Sequence, residues 1–220
     1  MTPEPNTGRL TWRALLYAIV LTGLVIAFVD RPASSWAHAH LQRHTFDWLT
    51  HLVDPLLAAA VVGLIIAGLA AAFGWRPGDK ARTALACCLA VIVSVALKEH
   101  LKIAFGRTWP ETWVENNPSW INTGAFGFHP FHGGRGWTSF PSGHLTQMSA
   151  LAAVLWWRVA RLKWLWACLP LLVAVGLYGC DYHFLGDMVA GAFLGTASAA
   201  GVLALLNQRP VENPVGTTAK

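Results

Sequence analysis

Charge is what this chain has least of. Only 12% of its 220 residues are Asp, Glu, Lys or Arg, about half the roughly 25% usual in soluble domains. So few charges cannot cover the surface of a soluble protein of this length, which excludes an ordinary cytosolic enzyme. Basic runs are also missing. The formal charge is +5, but the lysines and arginines are scattered through short loops, and a nucleic-acid face needs them clustered. There are four cysteines and no C-x-x-C pair. Three of the four lie in apolar stretches and read as small buried hydrophobes, not as a disulfide or metal framework. No carboxylate-rich cluster appears either. Glu99, Glu111, Glu115 and Asp181 are dispersed, so neither a metal nor a cofactor is expected. There is no internal repeat and no linker, which suggests one domain over residues 14–207. It would be flanked by a short N-terminal segment (1–13) and a disordered tail (208–220).

What the chain has is apolar length. Hydrophobic residues make up 55% of it and its mean hydropathy is +0.44. These values exclude disorder for most of the chain. A spanning helix needs about 20 mostly apolar residues, and six candidates are visible: Ala14 to Val29, Pro55 to Trp75, Ala84 to Phe105, Gly143 to Val159, Trp164 to Tyr178 and Gly186 to Leu206. The first resembles a signal peptide's apolar region, but no convincing cleavage site follows, so it is read as a retained helix. Between the first two, Arg31 to Asp54 sets Trp36, Leu41, Phe46, Trp48 and Leu49 among polar residues, the pattern of an amphipathic helix in the membrane interface. Its histidines, His38, His40, His44 and His51, suggest a metal at first glance, but their spacing suits the interfacial helix, and that reading is preferred to a metal site. The last span carries Gly191, Gly195, Ala199 and Ala200, which favour close helix packing. The fold class expected is an all-α integral membrane six-helix bundle with an interfacial helix after the first span.

Six spans put both termini on one side. That side carries Arg9, Arg13, Arg76, Lys80, Arg82, Arg158, Arg161, Lys163, Arg209 and Lys220, against Arg31, Arg43, Lys98, Lys102, Arg107 and Arg135 on the other. The positive-inside rule places the richer side in the cytoplasm. The loop from Arg107 to Pro141 then faces outward, as does the turn from Gly179 to Leu185.

Three outward segments hold most of the unusual polar residues. Lys98 and Lys102 share a helix face at the end of the third span. They either face a water-filled cavity or snorkel to the interface. Ser139-Phe140-Pro141-Ser142-Gly143-His144 runs into the fourth span. Ser142 can cap that helix, its first amides form an anion site, and His144 stands beside any bound anion. It also reads as a plain capped helix with an incidental histidine. In the third segment His183 and Asp187 are four apart, so the carboxylate can fix the imidazole tautomer and leave the other nitrogen free. A satisfied interfacial pair reads equally well. Together the segments supply the parts of phosphoryl transfer: a nucleophile, a proton donor and cations around the phosphate oxygens.

These segments resemble the motifs of the type 2 phosphatidic acid phosphatase family, which shares its core with vanadium-dependent haloperoxidases. The resemblance runs from Lys98 to about Gly195. Pro141-Ser142-Gly143-His144 matches the second motif and His183-x3-Asp187 the end of the third. Lys102-x6-Trp109-Pro110 fits the first with Trp109 in place of arginine, and Leu177 stands where the third motif has its arginine. The resemblance implies a membrane lipid phosphatase in which His183 attacks phosphorus and Asp187 orients it. His144 would protonate the leaving oxygen and then activate water. Lys102, Arg107, Ser142, Gly143 and Arg135 would hold the phosphate, Arg107 standing in for one missing arginine and Arg135 or Lys98 for the other. A bell-shaped pH–rate profile is expected. The implied setting is a bacterial inner membrane, with cytoplasmic termini, a periplasmic active site and no nucleic-acid partner. The implied substrate is a lipid phosphate or diphosphate among the membrane lipids, such as undecaprenyl diphosphate, lipid A phosphates, phosphatidylglycerophosphate or phosphatidic acid. A phosphotransferase using the same phosphohistidine and a non-catalytic phospholipid-binding protein are the alternatives. A transporter ranks below both, for want of paired broken helices.

The loop from Arg107 to Pro141 is rich in tryptophan, phenylalanine and glycine. It is expected at the headgroup level, either as a mobile lid or as an aromatic belt. His129 and His132 within it read as surface histidines, and Asp181 as a solvated loop acid.

Overall fold

The computed structural model describes residues 11–113 and 116–207. The N-terminal ten residues, Glu115, Arg209, Lys220 and the expected tail lie outside them.

Each expected apolar segment forms a helix, with ends fixed by local chemistry. Helix α1 (Trp12–Phe28) is capped by Thr11, whose side chain accepts from the Ala14 N–H at 3.3 Å. The chain then bends by 58° into α2 (Asp30–His40). After two extended residues comes α3 (Arg43–Thr50), which passes through a 3₁₀ turn into α4 (Asp54–Ala72). Helix α5 (Asp79–Phe105) follows Gly78 and stops at Gly106, which takes the left-handed conformation (φ 58°) that only glycine adopts freely. The loop from Arg107 to Pro141 holds the single turn α6 (Trp120–Thr123). Helices α7 (Gly143–Arg158), α8 (Lys163–Gly179) and α9 (Leu185–Leu206) complete the chain. Among the described residues only isolated β-bridges occur, all within that loop.

Four stretches are long and apolar enough to cross a bilayer: Arg43–Ala72, Asp79–Phe105, Ala160–Gly179 and Leu185–Leu206. The bent pair α1 and α2 makes a fifth if taken as one span. Helix α7, at 16 residues, is shorter. It stands at the centre of the bundle, packed against α5, α8 and α9, while α1 lies on α9 and α4 on α5. This is an all-α, multi-pass membrane protein. Helix α1 has no buried residue, and Leu15, Leu16, Ile19, Val20, Leu21, Leu24 and Phe28 are exposed, which suits a lipid-facing surface and not a watery one.

Small residues set the centre. A Cβ on Gly195 would lie 2.1 Å from the Thr146 carbonyl oxygen, and one on Gly191 would lie 2.6 Å from that of Ser142. The backbones of α7 and α9 are therefore in contact, as the glycine and alanine pattern predicts. One apolar cluster (Ala86, Ala90, Ala150, Val154, Ala199, Leu203) joins α5, α7 and α9. A second (Val53, Leu145, Met148, Val173, Leu177, Met188) joins the start of α4 to α7, α8 and α9.

The single interfacial helix expected over 31–54 is two helices. Helix α3 packs on α8, where a Cβ on Gly176 would lie 2.6 Å from Leu49 Cβ, and one on Gly179 would strike the Phe46 ring at 2.2 Å. Glycines on α8 supply the groove that the amphipathic pattern of α3 does not reveal by itself.

Candidate active site

The end of α5 and the starts of α7 and α9 meet under the loop from Arg107 to Pro141, and they bring the three polar segments together. Asp187 lies in the first turn of α9, and its Oδ2 is 3.5 Å from His183 Nδ1. The same oxygen accepts from the Ser139 hydroxyl at 2.5 Å and the Phe184 N–H at 3.2 Å. These bonds aim the carboxylate before any substrate arrives. With Nδ1 toward Asp187, Nε2 is the ring nitrogen left for chemistry. His183 is buried, and burial pushes its imidazole below the ordinary histidine range, against the opposing pull of Asp187. The neutral, nucleophilic form is thereby favoured.

Behind Asp187 stands a buried ion triad. Arg107 donates from Nη1 to Asp187 Oδ1 and from Nη2 to Asp30 Oδ2, the latter at 2.6 Å. Asp30 Oδ1 accepts from the Gly186 N–H at 2.7 Å. All three charged side chains have 0% exposure. Gly186 is required here, because a Cβ would lie 2.5 Å from Ile26 Cγ1 and 2.8 Å from Asp30 Oδ2. Phe126, Phe128 and Phe184 enclose the guanidinium, with ring centroids at 4.5 to 5.2 Å. Arg107, expected to hold phosphate, has its guanidinium turned into the core. Both of its terminal nitrogens are engaged by carboxylates, and it braces Asp187 from within the core.

The Ser142 hydroxyl caps α7 by accepting from the Leu145 N–H at 3.5 Å, and the Ser142 N–H donates to the Asp187 carbonyl at 3.0 Å. This second bond ties the second motif directly to the third. A Cβ on Gly143 would sit 3.1 to 3.2 Å from Lys98 Cδ, Cε and Nζ, so the buried Lys98 lies along the start of the helix, with its ammonium on Glu99. The first amides of α7, those of Gly143 and His144, have no helix carbonyl one turn back to bond. The ring of His144 stands 6.4 Å from that of His183, at 65° to it.

Beside the histidines opens a cavity of about 350 Å³, bordered by Glu99, Lys102, Trp109, Arg135, Thr138 and Tyr182 among others. Lys102 Nζ is 5.9 Å from the Trp109 ring centroid, and that ring is 5.1 Å from His183. Trp109 thus fills the space between cation and histidine. Its indole N–H donates to the Arg135 carbonyl at 3.0 Å, which holds the exposed Arg135 at the cavity rim. One wall is a ladder: the Arg43 guanidinium is 3.5 Å from the Trp113 ring centroid, and Trp113 stacks on Tyr182 at 4.7 Å.

A sequence profile of the PAP2 superfamily matches residues 83–210, more than half of the chain. The chain belongs to the PAP2 superfamily. The described structure is similar to that of a transmembrane PAP2-type phosphatidylglycerolphosphate phosphatase from Bacillus subtilis, with a TM-score of 0.48 and 17% identity, covering 89% of this chain and 96% of that one. No curated protein sequence matches it. Within the PAP2 pattern, the arginine position taken by Leu177 is fully buried in the second apolar cluster. That place is built for a hydrocarbon and holds no cation.

His183, His144, Asp187, Ser142, Gly143 and Lys102 converge, with Arg135 at the rim. Two contributors escaped the sequence reading. Asp30 carries one signal, a lone acid at the end of an apolar span. Ser139 carries none. Asp181 is corrected as well. It is buried, not solvated, and burial with the neighbouring Glu111 raises its carboxyl to about 6, opposed by Ser34 and His38. Glu111 and Asp181, dispersed in the sequence, are neighbours in space.

Proposed function

We propose that this protein is a membrane lipid phosphatase working through a phosphohistidine on His183. The observation that carries the reading is the arrangement around that ring. Its Nδ1 faces an aspartate fixed by a serine and a buried arginine, His144 stands opposite, and the cavity beside them carries Lys102. In the first step His183 Nε2 attacks phosphorus and the bond to the lipid oxygen breaks. His144, protonated, gives that oxygen its proton. In the second step His144 takes a proton from water, the water oxygen attacks phosphorus, and the phosphorus–nitrogen bond breaks. Inorganic phosphate leaves and His183 is regenerated. Asp187 offsets the charge that grows on His183, and Lys102, Arg135, the Ser142 hydroxyl and the first α7 amides hold the equatorial oxygens.

The substrate is a phosphate or diphosphate on a lipid whose head reaches the outward face. Two facts support that face. The basic loops carrying Lys80 and Arg158 border one another, and they lie at the opposite ends of α5 and α7 from the histidines. The positive-inside rule puts those loops in the cytoplasm and the site outside, in a bacterial inner membrane.

Phosphate release by the purified protein in detergent, with EDTA present, tests this across a panel of lipid phosphates and diphosphates. The wild type should release phosphate and His183→Ala should not. Release that persists in the variant would refute the mechanism. If neither releases phosphate, labelled phosphate should be sought on a lipid acceptor, and its absence there would leave the non-catalytic binding reading.

A further inference from the structure

Three segments far apart in the chain meet beside the turn between α8 and α9. His38 comes from α2, Glu111 from the outward loop and Asp181 from the turn itself. His38 Nδ1 lies 3.9 Å from Glu111 Oε1 and 4.0 Å from Asp181 Oδ2. The three donor atoms lie within 4.8 Å of one another, at the edge of a cavity of about 180 Å³.

Asp181 makes this more than a chance cluster. It is only 5% exposed. Its Oδ1 accepts from the Ser34 hydroxyl at 2.8 Å, while its Oδ2, the oxygen facing His38, is buried and has no hydrogen-bond partner. A buried carboxylate oxygen left unpaired is costly and rare, and each instance calls for a cause. The obvious internal cation is engaged elsewhere. Arg43 borders the same cavity, but its guanidinium lies on the Trp113 ring. Among the described residues it forms no ion pair with either carboxylate.

We propose that His38, Glu111 and Asp181 form a binding site for a divalent cation of the zinc type, pinning α2 and the outward loop to the turn that leads into His183. The donor set decides the class. Calcium and magnesium take oxygen ligands, whereas an imidazole with two carboxylates suits zinc and its neighbours. Two carboxylates also match a dication in charge. Zinc–ligand bonds of about 2.0–2.2 Å place ligand atoms roughly 3.4 Å apart in a tetrahedron. The present separations close to that with small movements of the exposed His38 and the half-exposed Glu111. Asp181 need not move, because Ser34 already orients it as outer-shell partners of metal ligands do. Three protein ligands leave a fourth position for water. The cation sits to one side of the histidines and takes no part in the phosphoryl steps, so the site stands whether or not the phosphatase reading does.

The test is zinc binding by the full chain without a histidine tag. The protein is stripped with chelator, dialysed against Zn²⁺ in detergent, and its metal content measured. One zinc per chain is expected at micromolar or lower free metal, and excess Mg²⁺ should not displace it. His38→Ala and Glu111→Gln alter side chains that are not buried, so both should fold. Each should weaken binding about tenfold or more. His129→Ala/His132→Ala should bind as the wild type does. No stoichiometric zinc, unchanged binding in both variants of the site, or loss only in the His129/His132 variant would overturn the proposal.

Discussion

Arg107→Gln separates the two places that motif spacing and structure give this residue. As a phosphate ligand, Arg107 would contribute to substrate affinity and leave stability alone. As the structure has it, the guanidinium lies between two carboxylates, all with no exposure. Removing one partner of a buried pair typically costs about 3–5 kcal/mol, because an uncompensated charge remains. Here one cation serves two anions, so the loss should fall at or above the upper end of that range. Asp187 would also lose the bond that fixes it from behind, and turnover should collapse with stability. Arg107→Lys should recover little, since an ammonium cannot present a planar fork to two carboxylates. The assay is denaturant unfolding in detergent for the wild type, Arg107→Gln, Asp30→Asn and the double variant. The double variant should lose less than the sum of the singles, by roughly 0.5–3 kcal/mol of coupling. An Arg107→Gln protein of wild-type stability, with kcat preserved and only KM raised, would refute the brace.

Ser139→Ala removes a 2.5 Å bond to Asp187. Hydrogen bonds to charged groups contribute about 1.5–3 kcal/mol, so kcat should fall by one to two orders of magnitude while the protein stays folded, read by phosphate release and thermal unfolding. Leu177→Arg restores the family residue in sequence, yet it puts a charge into a fully buried apolar cluster. It should lower stability by several kcal/mol and raise no activity. A gain in kcat would show that the position faces the site. Gly176→Ala pushes against Leu49 and should cost about 1–3 kcal/mol through displacement of α3, read as a lower unfolding midpoint.

The helices and the three motif segments were legible because their signals are local. Apolar run length gives a span, and the spacing of His183 and Asp187 puts both at one helix start. The direction of Arg107 was not legible. The residue follows Gly106, where a Cβ would lie 1.9 Å from the His129 carbonyl oxygen. The chain's path at that point is set by a contact with a residue far along the loop, and spacing within a motif carries no record of it. Asp30 was hidden for the same reason, since its partner is distant in sequence. Asp181 looked solvated because turns usually are, but α2 closes over it through Ser34. The substitutions at Trp109 and Leu177 were visible as departures. Only packing shows that one is an aromatic spacer beside His183 and the other a core residue.

The Asp30 carboxylate lies outside the stretch that the PAP2 profile matches, which begins at residue 83. The matched stretch therefore leaves out one arm of the buried ion triad. A fragment trimmed to the profile would retain both histidines and still leave the second arm of Arg107 and the Gly186 amide without their carboxylate partner. The same feature offers a way to divide the molecule. If the chain is severed in the exposed connection between α4 and α5, the piece carrying α1 to α4 brings back the missing anion, and reassembly of the two halves becomes a complementation reaction keyed by one carboxylate.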